Sequence, residues 1–419
     1  MKWIMIRSHH RRRTGIPSAS LLVVGITWAL LCCQSAIGQV TYQQVAEIER
    51  PRILAKAKEY LQAEPRTVTA DICERSAGGP HDFYSEGDYW WPNPDDPEGP
   101  YIRRDGESNP DNFIAHRQSM IRLSEIMGTL TSAYLLTKDE EYAEAAVMHL
   151  NAWFVETETL MNPHLLYAQA IKGRHTGRGI GVIDTLHLTE VALAAKVLER
   201  SESFADEDQA AVRTWFRRYL DWLTTHPYGL TEKAEDNNHG VCWSMQAAAF
   251  ATLVDDQELL TWIRKNFQSN FLVNQMAKDG SFPNELGRTK PYGYSLFVID
   301  AMAGVAQIAS DEGDNLWEYK AESGQSMRIG LNYITPYVRD KSSWPLKPDV
   351  AYFDEWPVRH PCLILAAIHF QDPTLLETWK ELEADPTTYE VLRNLPLRHP
   401  LVWLAAKQDP AADSPKKQP

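Results

Sequence analysis

The sequence predicts an all-α protein built of antiparallel helical hairpins packed into a barrel or solenoid. Apolar residues recur at helical spacing through most of the chain, strand-type alternation is nearly absent, and loops rich in Pro, Gly and Asp separate the periodic segments. Composition agrees with a folded protein: 419 residues, 44% hydrophobic, 10% aromatic and 23% charged exclude disordered and fibrous architectures.

The chain opens on different material. Lys2, Arg7, Arg11, Arg12 and Arg13 precede an apolar run from Leu21 to Cys33, followed by the small residues Ser35, Ala36 and Gly38 that export peptidases accept. Residues 1–38 read as a signal peptide, with cleavage near Gln39 and export to the periplasm or the exterior. The run is too short for a bilayer core that needs about 20 residues, so no stable membrane insertion is expected after cleavage. Leu31 before Cys32 is too bulky for a lipoprotein signal. The leader holds five of the 42 basic residues and none of the 56 acidic ones, which makes the mature chain more acidic than the formal charge of −14. Nucleic acid is excluded as a partner by that balance, and a polyanionic substrate needs a locally positive cleft. Cys73, Cys242 and Cys362 remain after cleavage, too few for a disulfide scaffold and without a CxxC pair.

Within the single domain at 39–407, helical faces run from about 44 to 63, 112 to 136, 138 to 154, 183 to 199, 206 to 223, 241 to 277, 294 to 310, 315 to 336 and 359 to 383. The segment from Asp206 shows the pattern well, with Val212, Trp215, Phe216, Tyr219, Leu220 and Leu223 on one side. No fixed-length repeat is present beyond Arg359-His360-Pro361, echoed by Arg398-His399-Pro400. The tail at 408–419 is polar and rich in Pro and Lys, a composition expected to be disordered.

The long loops carry the unusual chemistry. Between 78 and 111, Tyr84, Tyr89, Trp90, Trp91 and Tyr101 are interleaved with Asp, Asn and Pro, which suits either packing over one end of a barrel or a platform for sugar rings. The loop at 161–182 gathers Lys172, Arg174, His175 and Arg178, a solvated charge run or the positive cleft. Asp236-Asn237-Asn238-His239-Gly240 precedes a helix expected near Val241, where free N–H groups favour an anion. Glu285, Arg288, Lys290, Tyr292 and Tyr294 follow some fifty residues later. Each piece also has a purely structural reading, since Asn and Asp cap helices and Tyr packs at helix starts.

Together these segments resemble the alginate lyase superfamily of polysaccharide lyases. The similarity is carried by NNHG at 237–240, ELGRTKPYGYS at 285–295, MNPHLLYAQ at 161–169 and YSEGDYWWPNP at 84–94. It implies an (α/α) toroid that cleaves an anionic uronate polysaccharide by β-elimination, with no required metal and no nucleotide or redox cofactor. Carried over by motif, the family's Asn-His pair falls on Asn238 and His239, its arginine on Arg288 and its catalytic tyrosine on Tyr294. Tyr89, Trp90, Trp91, Gln169, Arg178, His187 and Tyr292 are the candidate substrate-binding residues. Gly240 departs from the better-known bacterial branch, which carries Ser followed by an aromatic residue there, and this bears on the substrate more than on the reaction.

The chemistry explains the residue types. Removing the C5 proton of a uronate requires that the neighbouring carboxylate be neutralised, a task for Asn238, Arg288 and His239. Tyr294 is expected to take the proton and return it to the leaving O4. Its ordinary pKa is about 10, so a cationic neighbour, Arg288 or His239, is expected to stabilise the phenolate; Tyr292 and His239 are the reserve candidates for the base. Syn elimination by one tyrosine favours polymannuronate, with glucuronan next. Two rivals remain from the sequence: a glycoside hydrolase recruiting Glu285, Asp88 or Asp236 as paired carboxylates, and a non-catalytic glycan-binding protein. Metal catalysis is disfavoured, since His81, His175, His187 and His239 have no ligand spacing and there is no HExxH. Oligomeric state is not encoded in any of these features.

Overall fold

The structure, a computed structural model, describes residues 39–407; the expectations for the leader at 1–38 and the tail at 408–419 lie outside the described residues. The helical periods become α1 (Tyr42–Tyr60), α2 (Ala115–Thr137), α3 (Glu140–Phe154), α4 (Leu188–Leu198), α5 (Asp206–Thr225), α6 (Pro227–Lys233), α7 (Asn238–Leu253), α8 (Gln257–Asn266), α9 (Pro283–Leu286), α10 (Pro291–Ala309), α11 (Met327–Arg339), α12 (Pro361–Phe370), α13 (Pro373–Glu381), α14 (Tyr389–Arg393) and α15 (Pro400–Ala405). Short strands sit in the loops: β1 (Tyr84–Glu86), β2 (Trp90–Trp91), β3 (Ile102–Arg103) and β4 (Tyr167–Ala170). β1 pairs in parallel with β4, and β2 pairs antiparallel with β3.

Inner and outer helices alternate along the chain. α2, α4, α7, α10 and α12 pack each against the next, while α3, α5, α8, α11 and α13 lie outside and pack on them. This is an (α/α) toroid. The inner helices are buried on nearly all sides, as helices surrounded by others are, and the outer ones bury a single stripe. α10 is long and apolar enough to cross a membrane, yet 94% of that window is buried inside the protein.

Two expected helices are broken by chemistry that periodicity does not sense. The segment at 241–277 is cut after Leu253, where Asp255 turns left-handed at φ 60° and Asp256 caps α8 by accepting from the Leu259 N–H at 3.0 Å. The segment at 359–383 is cut at Gln371, φ 53°, with Asp372 capping and Pro373 opening α13. The stretch at 315–326 is non-helical and α11 starts only at Met327.

The tripeptide echo proves to be a repeated clip. His360 and His399 each stand just before a proline that opens a helix, and each directs Nδ1 at a buried carboxylate of an inner helix. His360 Nδ1 lies 2.7 Å from Asp300 of α10, which also accepts from the Cys362 N–H at 3.1 Å. His399 Nδ1 meets Glu190 of α4, which also takes the Arg398 N–H at 2.8 Å and the Trp403 indole at 3.1 Å. A carboxylate left without such donors costs roughly 1–3 kcal/mol or more. The second clip seats α15 against α1, α2 and α4 on one side and α10 and α12 on the other, bridging the two ends of the inner series.

Candidate active site

The parallel pairing of β1 with β4 and the turn before α10 bring the loops together over the N-terminal ends of α7 and α10. They enclose a cavity of about 270 Å³ lined by Asn238, His239, Arg288, Tyr294, Tyr89, Trp90, Gln169 and Arg178. Arg103 and Arg393 line it too, so four guanidinium groups and an imidazole converge on one cavity of an acidic protein, with Asp88 and Glu235 as its carboxylates.

Asn237 caps α7, and its Oδ1 accepts from the His239 N–H at 2.9 Å. The anion expected at this helix start is supplied by the protein itself. Glu285 accepts from the Asn238 backbone N–H at 2.7 Å and from its Nδ2 at 2.8 Å. The Asn238 amide is thereby fixed in orientation and keeps one N–H for a ligand. Burial pushes the Glu285 carboxyl above its ordinary value, against the pull of these bonds and of Arg288. His239 directs Nδ1 at Glu232, 2.7 Å away. Burial alone would depress this imidazole, but Glu232, with Glu235 and Glu285 behind it, holds it above its ordinary value. Nδ1 is thus spent on Glu232, and His239 offers the cavity a donor rather than a base. Gly240 makes the local turn possible, because a Cβ there would stand 2.2 Å from the Glu235 carbonyl oxygen.

Tyr294, in the first turn of α10, places its hydroxyl 2.8 Å from that of Tyr89 and 3.4 Å from Nη2 of Arg288, whose guanidinium lies 4.6 Å from the Tyr294 ring centre. Arg288 is braced from behind by Asp105, through Nε at 3.2 Å and Nη2 at 3.0 Å. These contacts, opposing the cost of burial, hold the Asp105 carboxyl down to about 2. The expected stabilisation of phenolate is only partly met. Burial and the neighbouring Tyr89 push the Tyr294 hydroxyl well above its ordinary value, and the opposing pull of Arg288 and Arg393 is smaller. The resting form at neutral pH is the phenol.

Beneath the cavity, charged side chains alternate in sign. Lys290 pairs with Glu390, Glu390 with Arg393, Arg393 with Asp88 at 2.8 Å, Asp88 with Arg117 at 2.7 Å, and Arg117 with Asp184 at 2.6 Å. Asp184 accepts from Gln169 Nε2 at 3.0 Å, and Gln169 Oε1 accepts from Arg178 at 2.6 Å. Gln169 has φ 50°, a left-handed conformation rare for a non-glycine residue, and is held there by the Ser85 hydroxyl on its N–H at 2.8 Å.

Three predicted binding residues stand elsewhere. Trp91 follows Trp90 in β2 and so faces the other side of the hairpin, donating to the Glu107 carbonyl at 2.9 Å with Arg104 stacked 4.8 Å above it. Tyr292 is two helical positions from Tyr294 and points the opposite way, fully buried between Trp344 and Phe353 with its hydroxyl on the Tyr337 carbonyl. This removes it as a reserve base. His187 is buried behind the wall against the Arg393 carbonyl at 3.3 Å, and burial pushes it down to about 3. Of the basic loop, only Arg178 lines the cavity; Arg174 stacks on Trp90 at 5.1 Å and Lys172 approaches Tyr101 at 5.9 Å. The carboxylates considered for hydrolysis are unsuited to it. Glu285 is bound to Asn238, Asp88 lies between two arginines, and Asp236 is exposed away from the cavity lining. Arg103, Arg393, Asn394 and Glu235 were not indicated by any motif.

Comparison with known proteins shows the family. The family model described as alginate lyase matches residues 67–344. An alginate lyase of known structure from Bacteroides ovatus is 30% identical, with 86% of this chain and 96% of that one covered and a TM-score of 0.74. A variant of alginate lyase A1-III, complexed with tetrasaccharide, shares the fold at 15% identity over 84% of this chain and 93% of that one, with a TM-score of 0.53. No curated protein matches by sequence.

Proposed function

Because this chain belongs to the alginate lyase family and is a polysaccharide lyase, we propose that it is exported and cleaves polymannuronate-type alginate by syn β-elimination. The reading is supported by one observation: the Tyr294 hydroxyl, Arg288 and the Asn238–His239 edge share a single cationic cavity. Arg288, the free Asn238 N–H and His239 take the C5 carboxylate and the negative charge that grows beside it. The Tyr294 phenolate, a minor form but a strong base, accepts the C5 proton. The C5–H electron pair becomes the C4–C5 double bond, the C4–O4 bond breaks, and O4 recovers the proton from the same hydroxyl.

In β-D-mannuronate and β-D-glucuronate the C5 hydrogen and O4 lie on one side of the ring, within reach of one tyrosine. In guluronate they lie on opposite sides. Glucuronan is the second reading, because it differs from polymannuronate only at C2, and the cavity wall carries Glu235, an acceptor for a ring hydroxyl. A panel of polymannuronate, polyguluronate and glucuronan, read by ultraviolet absorbance and mass spectrometry with a chelator control, is expected to give unsaturated product foremost from polymannuronate. Saturated ends would mean hydrolysis, and no product from any uronan would reject this substrate class. Export follows from the leader at 1–38. N-terminal sequencing of protein recovered outside the cytoplasm is expected to begin near Gln39, and a retained Lys2 would contradict it.

A further inference from the structure

We propose that Arg393 is a positioning residue for the elimination, holding the Tyr89–Tyr294 hydroxyl pair against a second guanidinium opposite Arg288. The inference rests on the reading of Tyr294 as the proton-transferring group. Arg393 ends α14, beyond the residues 67–344 that match the family model, and no motif announces it.

Its geometry is over-determined. Nη1 donates to Asp88 at 2.8 Å, Nη2 to Glu390 at 2.7 Å, and Nη2 also reaches the Tyr89 hydroxyl at 3.4 Å. The side chain is 12% exposed, so the fork is locked rather than mobile. Tyr89 passes the contact on to Tyr294 at 2.8 Å, and Arg288 approaches from the far side at 3.4 Å. Two phenol oxygens therefore link two guanidinium groups. Negative charge developing on Tyr294 is opposed by burial and by Tyr89 and favoured by Arg288 and by Arg393, which reaches the far hydroxyl of the pair.

The charge balance around the pair gives the sign of the effect. From the segment leading into α10, Lys290 stands 5.1 Å from the Tyr89 ring and 5.6 Å from the Tyr294 ring, opposite Glu390 of α14. From the aromatic loop come Asp88, paired also with Arg117 of α2, and Asp105, paired with Arg288 and Arg103. The start of α7 presents His239 with Glu232 and Glu235 nearby, and the basic loop presents Arg178. Below the first turn of α10, Asp349 accepts from the Tyr292 and Gly293 N–H groups. Neutralising Arg393 leaves Asp88 and Glu390 each short of one partner while they face the phenol pair. The phenolate is then harder to form, and the ascending limb of the pH–rate profile moves to higher pH.

The test uses the whole protein and the uronan that yields unsaturated product. In Arg393→Gln the ascending limb of kcat is expected to rise by about one pH unit, with KM changed less, and Arg393→Lys is expected to return it towards wild type. Tyr89→Phe, which cuts the link yet leaves both carboxylate pairs of Arg393 intact and removes a neighbour that pushes Tyr294 up, is expected to shift the limb to lower pH, and adding Arg393→Gln to it to give little further shift. A loss of kcat equal at every pH in Arg393→Gln, or an unmoved limb in Tyr89→Phe should Arg393→Gln not fold, would overturn the inference. Absence of unsaturated product from the unaltered protein would instead reject the reading of the site, and it is seen before any variant is made.

Discussion

Tyr294→Phe is expected to lower kcat by roughly 10²- to 10⁴-fold or more, the usual size of a general acid–base contribution, with KM nearly retained. The substitution removes one oxygen and leaves the ring that Arg288 covers, so the cavity keeps its shape and its cations. What disappears is the hydroxyl that takes the C5 proton and returns it to O4. Neither reserve candidate replaces it: Tyr292 is buried on the opposite side of α10, and His239 has spent Nδ1 on Glu232. Steady-state kinetics followed by ultraviolet absorbance, with substrate affinity measured separately by calorimetry, separates the two effects. Near-native kcat in Tyr294→Phe would move the proton chemistry to another residue, with Tyr89 the nearest remaining hydroxyl.

How much of this was legible in the sequence depended on whether the signal was local. α5 could be read almost to its ends because it is an outer helix whose apolar residues form one stripe. The joint between α7 and α8 could not, since apolar residues continue through it and only the left-handed Asp255 and the capping Asp256 mark the break. The inner helices are buried nearly all round, so the pattern locates them but does not say which face they turn to a neighbour. In the site, the motif residues Asn238, His239, Arg288 and Tyr294 do meet in one cavity, although two stretches of chain supply them. The errors on Trp91 and Tyr292 were avoidable by geometry alone, given a strand through β2 and a helix from Pro291. The sequence shows that the start of α7 favours an anion but not that Glu285 supplies it, because a carboxylate 47 residues away leaves no trace in the local pattern. Arg393 is the extreme case. Its role arises from Asp88, 305 residues distant, and from Glu390 one turn before it.

That dependence on partners also fixes what to expect of Arg288→Ala, where kcat/KM is expected to fall by about 10³-fold, with kcat and KM both worsened. A donor to charge that develops in the transition state is worth roughly 10²- to 10³-fold in kcat, and the same guanidinium meets the substrate carboxylate already in the ground state, so binding weakens as well. The fold is expected to survive. Asp105 loses its main partner but keeps the Thr289 hydroxyl at 3.0 Å and the Arg103 guanidinium, and it is not deeply buried. Arg288→Lys is expected to recover only part of the loss, since an ammonium cannot brace two nitrogens on Asp105 while covering the Tyr294 ring. The two variants thus separate charge from shape. Recovery of full activity in Arg288→Lys would reduce Arg288 to a point charge, whereas a change confined to KM would place it in ground-state binding alone and leave Asn238 and His239 to stabilise the developing enolate.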